Sequence, residues 1–343
     1  MQEGPIPKKP KKTSKRDVSP KRLKKAKDKS SGSTSKWQHF LKKNGYVVVS
    51  KVLSTEQLAF YRGKFWDWME SFDTGIKRND QATWIAANWP HSMHGLLQHF
   101  GIGHALWVWM LRTEPRILKV FAKIWDVLPE DLLCSFDGAN LTRPTKRETP
   151  GWEHLDQGMK NSDFACVQGC MVLQTCEGGL RFYRKSHRQH ASFWKASGAK
   201  STGNWYKLTD ADKDWYTKRC ETVDVPNKEG DLVLWDSRTV HWGYAPPAEA
   251  PDSAPRMCAY VSYLPRQMAT DKQLERKREV FGQRRMTSHW AVPCKLFSET
   301  FQHYGHPELL QRFSKRPTIK DEEMTPAMWS LVGVRPAPAP QAE

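Results

Sequence analysis

The chain has 343 residues, of which 38% are hydrophobic and 11% aromatic, enough to bury the core of one large domain or two small ones. No apolar stretch approaches the length of a membrane span, and the N-terminus lacks the apolar run of a secretory signal. The seven cysteines form no CxxC pair. We therefore expect a protein with reduced thiols in a nuclear or cytoplasmic compartment, without secretion.

The positive charge of the chain is concentrated at its N-terminus. Residues 1–36 hold 13 Lys and Arg against 3 Asp and Glu, a net charge of +10 out of +17 for the whole chain. Because this segment has almost no large apolar residues, it is predicted to be a disordered basic tail. Its basic clusters favour contact of residues 8–29 with an import receptor or with nucleic acid; the alternative is a tail that only aids solubility.

The composition becomes typical of a globular domain at Trp37, and we place this domain at residues 37–315. Residues 316–343, which finish in a run of Pro and Ala, are expected to form a C-terminal tail. No internal repeat is present.

The first half of the domain shows a strand followed by helices. Tyr46–Val49 is apolar and β-branched, which predicts a short strand. Ser54 and Gln57 form a capping box ahead of a helix whose apolar residues recur every three or four positions. A second helix is predicted to begin at Pro115, since proline suits the first helical turn.

From Leu132 to Leu264 the apolar segments shorten and glycine appears at turns, which favours a sandwich or barrel of many short strands. A long polar insertion, residues 186–218, interrupts this β-core. Helices are predicted after the core, at Lys272–Phe281 and Pro307–Phe313. The strand candidates are Leu133–Leu141, Phe164–Gln174, Leu180–Tyr183, Glu221–Val225, Asp231–Trp235 and Arg256–Leu264.

Two distant motifs indicate a metal site. His154 and Asp156 are two residues apart, so in an extended segment both side chains point to the same side. His241 follows the strand candidate Asp231–Trp235 and would approach from another strand. Two imidazoles and one carboxylate are the ligand set of non-haem Fe(II) oxygenases, because this set leaves one face of the metal open.

An arginine opens the strand candidate that follows the second motif. The guanidinium of Arg256 has the fork geometry that holds a carboxylate through two hydrogen bonds. A metal triad followed by such an arginine is what a 2-oxoglutarate-dependent enzyme requires, since the iron takes the keto-acid end and the arginine the far carboxylate. Arg266 is the alternative candidate for this role.

In their order and spacing these motifs resemble the phytanoyl-CoA dioxygenase-like family of Fe(II)/2-oxoglutarate-dependent oxygenases. The resemblance runs from about Leu132 to Leu264 and includes Val167–Leu173 and Gly178–His187. The family usually has Pro-Gly-Ser-His where this chain has Arg-Lys-Ser-His, at residues 184–187.

The resemblance implies a mainly β fold with flanking helices, a double-stranded β-helix or cupin-like jelly roll. It implies Fe(II), 2-oxoglutarate as co-substrate, and O₂. The expected reaction is hydroxylation or oxidative demethylation at a C–H bond, with release of succinate and CO₂. Asn140 and Gln168, on neighbouring strand segments, are further candidates for co-substrate contacts.

Two other classes of function are weighed against this one. A Jumonji-like nuclear protein hydroxylase or demethylase shares the triad, but its co-substrate clamp is usually a Lys or Thr earlier in the barrel. A non-catalytic jelly-roll binding module is disfavoured because all three triad residues are present. The substrate class stays open among small molecules, nucleic acid and protein side chains, with the basic tail and the 16 Trp favouring a nuclear polymer over a fatty acyl chain.

Overall fold

The computed structural model describes residues 35–144, 151–199, 201, 203–245, 254–299, 308–313 and 317–334. These residues fold into two antiparallel sheets with helices against their outer faces. Residues 1–34 and 335–343 lie outside the described part of the chain. The basic tail and the terminal Pro/Ala run therefore stay predictions.

Among the described residues, helices predominate before Leu132 and after Pro265, and strands predominate between these two residues. The α-helices are α1 (Lys36–Asn44), α2 (Thr55–Glu70), α3 (Leu106–Arg112), α4 (Pro115–Trp125), α5 (Ser186–Ser197), α6 (Asp210–Thr217), α7 (Asp271–Gly282), α8 (Glu308–Arg312) and α9 (Pro326–Val332). The strands are β1 (Tyr46–Val49), β2 (Leu96–Leu97), β3 (Leu132–Cys134), β4 (Ala139–Thr142), β5 (His154–Leu155), β6 (Val167–Val172), β7 (Cys176–Tyr183), β8 (Tyr206–Lys207), β9 (Thr222–Asn227), β10 (Leu232–Asp236), β11 (His241–Tyr244) and β12 (Arg256–Pro265). Short 3₁₀ turns lie at Gln81–Thr83, Ala86–Asn88, Ile102–His104, Pro129–Asp131, Arg266–Met268 and Asp321–Glu323.

The larger sheet has seven strands in the order β1-β10-β6-β12-β4-β2, with β3 paired to the far end of β12. Strand β12 is its longest, and alternate residues on it face opposite sides. Met257, Ala259 and Val261 join the apolar core that includes residues of α2, α3, α4 and α9. The large sheet is therefore backed by a helical layer.

The smaller sheet has five strands in the order β8-β5-β11-β7-β9. A core cluster that combines Cys170, Val233 and Cys258 of the large sheet with Leu180 and Phe182 of the small one shows that the sheets pack face to face. On the other side of the small sheet, aromatic residues of α5 and α6 pack against it. The layers are thus helices, large sheet, small sheet and helices, the jelly-roll arrangement predicted from the motifs.

Several predicted elements are confirmed. Strand β1 has the predicted bounds, and α2 begins after Ser54, whose backbone N–H donates to the Gln57 side chain at 2.9 Å. The predicted strand Leu133–Leu141 is interrupted between β3 and β4. At Gly138 a side chain would collide with the carbonyl of Leu97 on β2. The close approach of the two segments therefore requires glycine at this position.

The insertion at residues 186–218 differs from the polar loop that its composition indicated, because it contains α5 and α6. Phe193, Trp194 and Tyr216 of these helices are buried. Their contacts with Tyr183 and Trp242 on the small sheet supply the apolar surface that a loop of this composition would lack. Tertiary packing, not local polarity, decides the structure here.

The C-terminal boundary also differs from the predicted one. Residues 317–334, which composition assigned to a tail, include helix α9. Met328, Leu331 and Val332 of α9 are buried in the main core, and its last carbonyls accept hydrogen bonds from Arg266 and Arg278. The globular domain therefore extends at least to Val334.

All seven cysteines are free, in agreement with the absence of disulfide spacing in the sequence. None of the described helices is both long and apolar enough to cross a membrane.

We expect a chain that ends at Met324 to lose most of its free energy of unfolding, whereas a chain that ends at Val334 should match the full-length protein. Burial of three apolar side chains on α9 contributes roughly 1.5–3 kcal/mol each, a sum close to the stability of a typical domain. Urea denaturation followed by circular dichroism measures the difference. Equal midpoints for the two truncated chains would show that α9 does not stabilise the core.

Candidate active site

Two strands of the small sheet bring the two predicted histidine ligands together. His154 lies on β5 and His241 on β11, and these residues are direct partners in the antiparallel register. Asp156 follows β5, where its backbone N–H donates to the carbonyl of Ser237 at 3.3 Å. The i, i+2 spacing therefore puts both side chains of the first motif on the side of the sheet that His241 faces.

The three side chains converge on one point. One potential ligand atom from each lies within 4.8 Å of the others, and all three residues are buried. The Oδ2 atom of Asp156 is 3.7 Å from Nε2 of His154 and 3.4 Å from Nε2 of His241. These separations exceed hydrogen-bond length and suit ligands that share one ion. Among the described residues, no other group of three His, Cys, Asp or Glu converges in this way.

Backbone carbonyls set which nitrogen of each imidazole carries the proton. Nδ1 of His154 is 3.1 Å from the carbonyl oxygen of Trp152, and Nδ1 of His241 is 3.0 Å from that of Thr239. A carbonyl oxygen can only accept, so each Nδ1 donates. The Nε2 lone pairs are then directed at the shared point, which is the arrangement that metal-binding histidines require.

The charge states also suit a metal. Burial would raise the pKa of the Asp156 carboxyl, but the imidazoles of His289 and His154 beside it hold that pKa well below its ordinary value. Burial, assisted by repulsion from His154, lowers the pKa of His241. At neutral pH the site therefore offers an ionised carboxylate and an unprotonated imidazole.

Gln168, predicted to contact the co-substrate, lines the cavity and also contacts the carboxylate of Asp156. Its Nε2 donates to Oδ2 of Asp156 at 2.9 Å and approaches Oγ of Ser237 at 3.4 Å. Gln168 therefore orients a predicted ligand. Asn140, the other polar candidate, lines the same cavity and has its Nδ2 atom 3.5 Å from the hydroxyl of Tyr260.

Arg256 is buried between the two sheets, and no carboxylate of the described residues forms an ion pair with it. It is 1% exposed, and its Nε and Nη2 atoms have no hydrogen-bond partner among the described residues. Its Nη1 atom lies next to Gly243, where an added Cβ would be only 2.6 Å away. The absent side chain at Gly243, two residues beyond His241, therefore leaves the guanidinium room beside the metal ligands.

Arg266, the alternative to Arg256, lies elsewhere. Its Nη1 and Nη2 atoms donate to the carbonyls of Gly333 and Ser330 at the C-terminal end of α9, at 3.1 and 2.8 Å. It therefore holds α9 in place and does not line the cavity that contains the triad.

A cavity of about 490 Å³ opens on the triad, a volume typical of small-molecule sites. Its wall is largely aromatic and apolar, with polar groups at a few positions. The lining includes Met93, His94, Asp137, Trp152, Leu180, Trp205, Lys207, Trp235, Tyr260, Ser288, His289, Trp290, Lys295 and Phe297.

Several of these residues escaped the sequence analysis. The ring of Trp152 stacks between those of His94 and His154, with centroids 4.4 Å apart on each side, and its Nε1 donates to the carbonyl of Gly243 at 3.3 Å. His289 arrives from the loop after α7, with Nδ1 3.9 Å from Oδ2 of Asp156. The position of Trp152 beside His154 was a usable signal, whereas nothing in the sequence marks His289.

Asp137, on the link between β3 and β4, is a second carboxyl in the cavity. Burial raises its pKa to about 7, although Oδ1 accepts a hydrogen bond from the backbone N–H of Gly138 at 2.8 Å. This carboxyl is therefore largely protonated in mildly acidic solution, unlike that of Asp156.

Comparisons with known proteins agree with this geometry. The sequence profile of the phytanoyl-CoA dioxygenase (PhyH) family matches residues 143–245, which contain the triad. Ava biosynthesis cluster protein O of Aspergillus versicolor is 30% identical over 282 residues, covering 78% of this chain and 89% of that protein. A putative phytanoyl-CoA dioxygenase of Dictyostelium discoideum is 30% identical over 133 residues, 36% of each chain.

A similar fold is found in the crystal structure of GlcNAc Inducible Gene 2 (GIG2) from Candida albicans. That structure has a TM-score of 0.54 and 13% sequence identity, and the alignment covers 89% of this chain and 77% of that one. The chain belongs to the phytanoyl-CoA dioxygenase-like family, and it is accordingly a 2-oxoglutarate-dependent non-haem iron oxygenase. The cofactors of this class are Fe(II) and 2-oxoglutarate, with O₂ as the second co-substrate.

We expect Asp137→Asn to change the pH dependence of stability in the metal-free protein. The pKa of the Asp137 carboxyl is near its ordinary value in the unfolded chain and about 7 in the folded protein. At pH values between these two, the folded protein holds a proton that the unfolded chain has lost. The wild-type free energy of unfolding should therefore fall as pH rises through this window. Relative to wild type, the variant should gain stability from pH 4 to pH 7 and then level off, as measured by urea denaturation. A constant difference across that range would contradict the raised pKa.

Proposed function

We propose that this protein oxidises a C–H bond of a small molecule, by hydroxylation or oxidative demethylation, with release of succinate and CO₂. His154, Asp156 and His241 hold the iron, and Arg256 holds 2-oxoglutarate. The observation that carries this proposal is the convergence of three buried ligand atoms within 4.8 Å at the end of a cavity of about 490 Å³.

The ligand set supports iron more than a closed structural metal site. The three groups are two imidazole nitrogens and one carboxylate, which leave coordination positions open for a co-substrate and for O₂. The carbonyls of Trp152 and Thr239 fix the two rings, and Gln168 fixes the carboxylate. The side chains are thus oriented before a metal arrives, which lowers the cost of binding it.

Arg256 supports 2-oxoglutarate as the co-substrate. Two nitrogens of this buried guanidinium have no hydrogen-bond partner among the described residues, so a carboxylate that entered beside it would be stabilised. Gly243 lines the cavity and Nη1 of Arg256 lies against Gly243, so the guanidinium is adjacent to the cavity wall. A dicarboxylate with one end at the triad therefore meets a cation at its other end.

Fe(II) and 2-oxoglutarate, when bound, would supply the electrons that reduce and so activate O₂, with oxidative decarboxylation of the co-substrate to succinate and CO₂. The protein side chains exclude water from the cavity and orient the metal ligands. The apolar wall around Leu180, Trp235 and Tyr260 excludes water, which limits loss of the oxidant to solvent. Trp152 keeps the ring of His154 from rotating by stacking on its face.

The alternative classes receive less support. A non-catalytic module would not need the complete triad together with a buried guanidinium, Arg256, beside the cavity wall. A Jumonji-like enzyme would take its clamp from an earlier strand, whereas the unpartnered cation here opens β12.

A role for the basic N-terminal segment is a separate proposal. The net charge of +10 in residues 1–36 supports contact of residues 8–29 with an import receptor or with nucleic acid. The oxygenase proposal does not depend on it.

We expect His154→Ala and Asp156→Ala to weaken Fe(II) binding by at least about 100-fold, since each removes one of three protein ligands. Gln168→Leu should weaken it less, by about 10-fold to 100-fold, because Gln168 acts through Asp156. Calorimetric titration with Fe(II) under argon measures the dissociation constants, and succinate formation gives turnover.

His39→Ala is the matched control, because His39 is exposed on α1. It should bind Fe(II) as the wild type does. Wild-type affinity in either triad variant, in protein that is folded by circular dichroism, would remove that residue from the ligand set.

We expect Arg256→Ala to raise the 2-oxoglutarate concentration for half-maximal turnover by tens-fold, since a charge-assisted pair with a desolvated carboxylate contributes about 2–4 kcal/mol. Gly243→Ala should raise it too while keeping the charge, because the new Cβ displaces the end of the Arg256 side chain. Fe(II) affinity should be unchanged in both variants.

Gly63→Ala is the control for the glycine substitution, since a Cβ there would meet no atom within 4 Å. Arg266→Ala should lower stability through α9 without changing half-saturation. The opposite pattern, with the loss of affinity in Arg266→Ala alone, would place the clamp on Arg266.

A further inference from the structure

The mouth of the cavity presents an exposed tryptophan close to the metal site. Trp205, just before β8, is 52% exposed, although large aromatic side chains are usually covered. Its ring centroid is 6.3 Å from that of His154. A flat ring stacked on Trp205 would therefore lie beside the triad, as a substrate must for one of its C–H bonds to react.

Two lysines lie on either side of Trp205. Lys207 follows it on β8 and is opposite His154 in the register of the sheet. Lys295 comes from the loop after α7, and its Nζ would be 3.7 Å from a Cβ added at Gly203. Both lysines are exposed, and neither forms an ion pair with a carboxylate in the described part of the chain. Two lysines without a carboxylate partner among the described residues thus line the mouth of the cavity.

Acidic groups on the cavity wall do not offset these cations. Among the described lining residues the only carboxyls are those of Asp156, which belongs to the triad, and Asp137, which is buried. The mouth is therefore positive and the wall between it and the triad is aromatic, with Trp290 and Phe297 facing the interior from the same loop as Lys295.

We propose, building on the oxygenase function proposed above, that the primary substrate is a compact ring compound that carries an anionic group. Its ring stacks on Trp205 and directs a C–H bond to the triad, and its anionic group lies between Lys207 and Lys295. The two lysines at the mouth disfavour cationic substrates, and a cavity of about 490 Å³ that must also accommodate 2-oxoglutarate disfavours a polymer.

The test uses the full-length protein loaded anaerobically with Fe(II) and 2-oxoglutarate, with binding measured by isothermal titration calorimetry. The probes are 1-naphthoate, the neutral 1-naphthamide, the cation 1-naphthylmethylamine, and palmitoyl-coenzyme A. Naphthoate should bind about ten-fold more tightly than the amine, because Lys207 and Lys295 attract the carboxylate and repel the ammonium, and exposed charges change affinity by about this factor. Palmitoyl-coenzyme A should bind more weakly than naphthoate.

Two variants separate the parts of the proposal. Lys207→Ala with Lys295→Ala should reduce the preference for naphthoate over the amine to near one, while Lys119→Ala with Lys123→Ala, the same charge change on exposed positions of α4, should not. Trp205→Ala should weaken naphthoate and naphthamide alike, by about ten-fold, because it removes stacking and not charge.

The outcomes distinguish this inference from the function on which it depends. Wild-type protein that binds neither Fe(II) nor 2-oxoglutarate overturns the oxygenase proposal itself. Normal binding of both, with no naphthyl probe bound, or with the amine or palmitoyl-coenzyme A preferred, overturns only the substrate class. A double lysine variant that loses 2-oxoglutarate affinity but keeps its preference for naphthoate would show that the lysines serve the co-substrate.

Discussion

The structure depends on one pairing, that of His154 with His241 across β5 and β11. This register brings residues far apart in the chain to adjacent positions, and the two backbone carbonyls that accept from their Nδ1 atoms then fix both rings. A shift of one residue in either strand would turn that imidazole to the opposite face of the sheet. The helices α5 and α6 on the outer side of the small sheet pack against it and so protect the register.

The two sheets contribute different residues to the site. The small sheet carries the triad, and the large sheet carries Arg256 and Gln168. The distance between a metal and a co-substrate clamp is therefore set by how closely the sheets pack. Gly243 is the point where this packing matters most, because the guanidinium of Arg256 occupies the space that a side chain there would fill.

The sequence predicted the parts of the site that depend on local spacing. The i, i+2 relation of His154 and Asp156, the strand before His241 and the position of Arg256 at the start of β12 all follow from strand periodicity. The jelly-roll fold was implied by the resemblance of these motifs to a known family. Features that depend on long-range packing were missed: His289 in the cavity, the hydrogen bond from Gln168 to Asp156, and the burial of helix α9 in the core. Composition reports only the local polarity of the chain, whereas the positions of these residues depend on contacts between segments that are distant in the sequence.

Charge balance links the two cofactors to each other. Below about pH 7 the carboxyl of Asp137 and the thiol of Cys258 are both mostly protonated, because burial raises the first pKa to about 7 and the hydrogen bond with Cys170, with the charge of Arg256, lowers the second pKa to about 7. The buried site then holds one charged carboxylate, Asp156, and one guanidinium, Arg256. Their charges cancel, so a divalent cation alone or a dicarboxylate alone leaves an excess of two charges in a poorly hydrated space, which is costly. Together the two ligands restore neutrality. Each should therefore increase the affinity of the site for the other, and by reciprocity to the same extent. The same balance explains why further cations are placed at the exposed mouth, on Lys207 and Lys295, where water screens them, and not beside the triad.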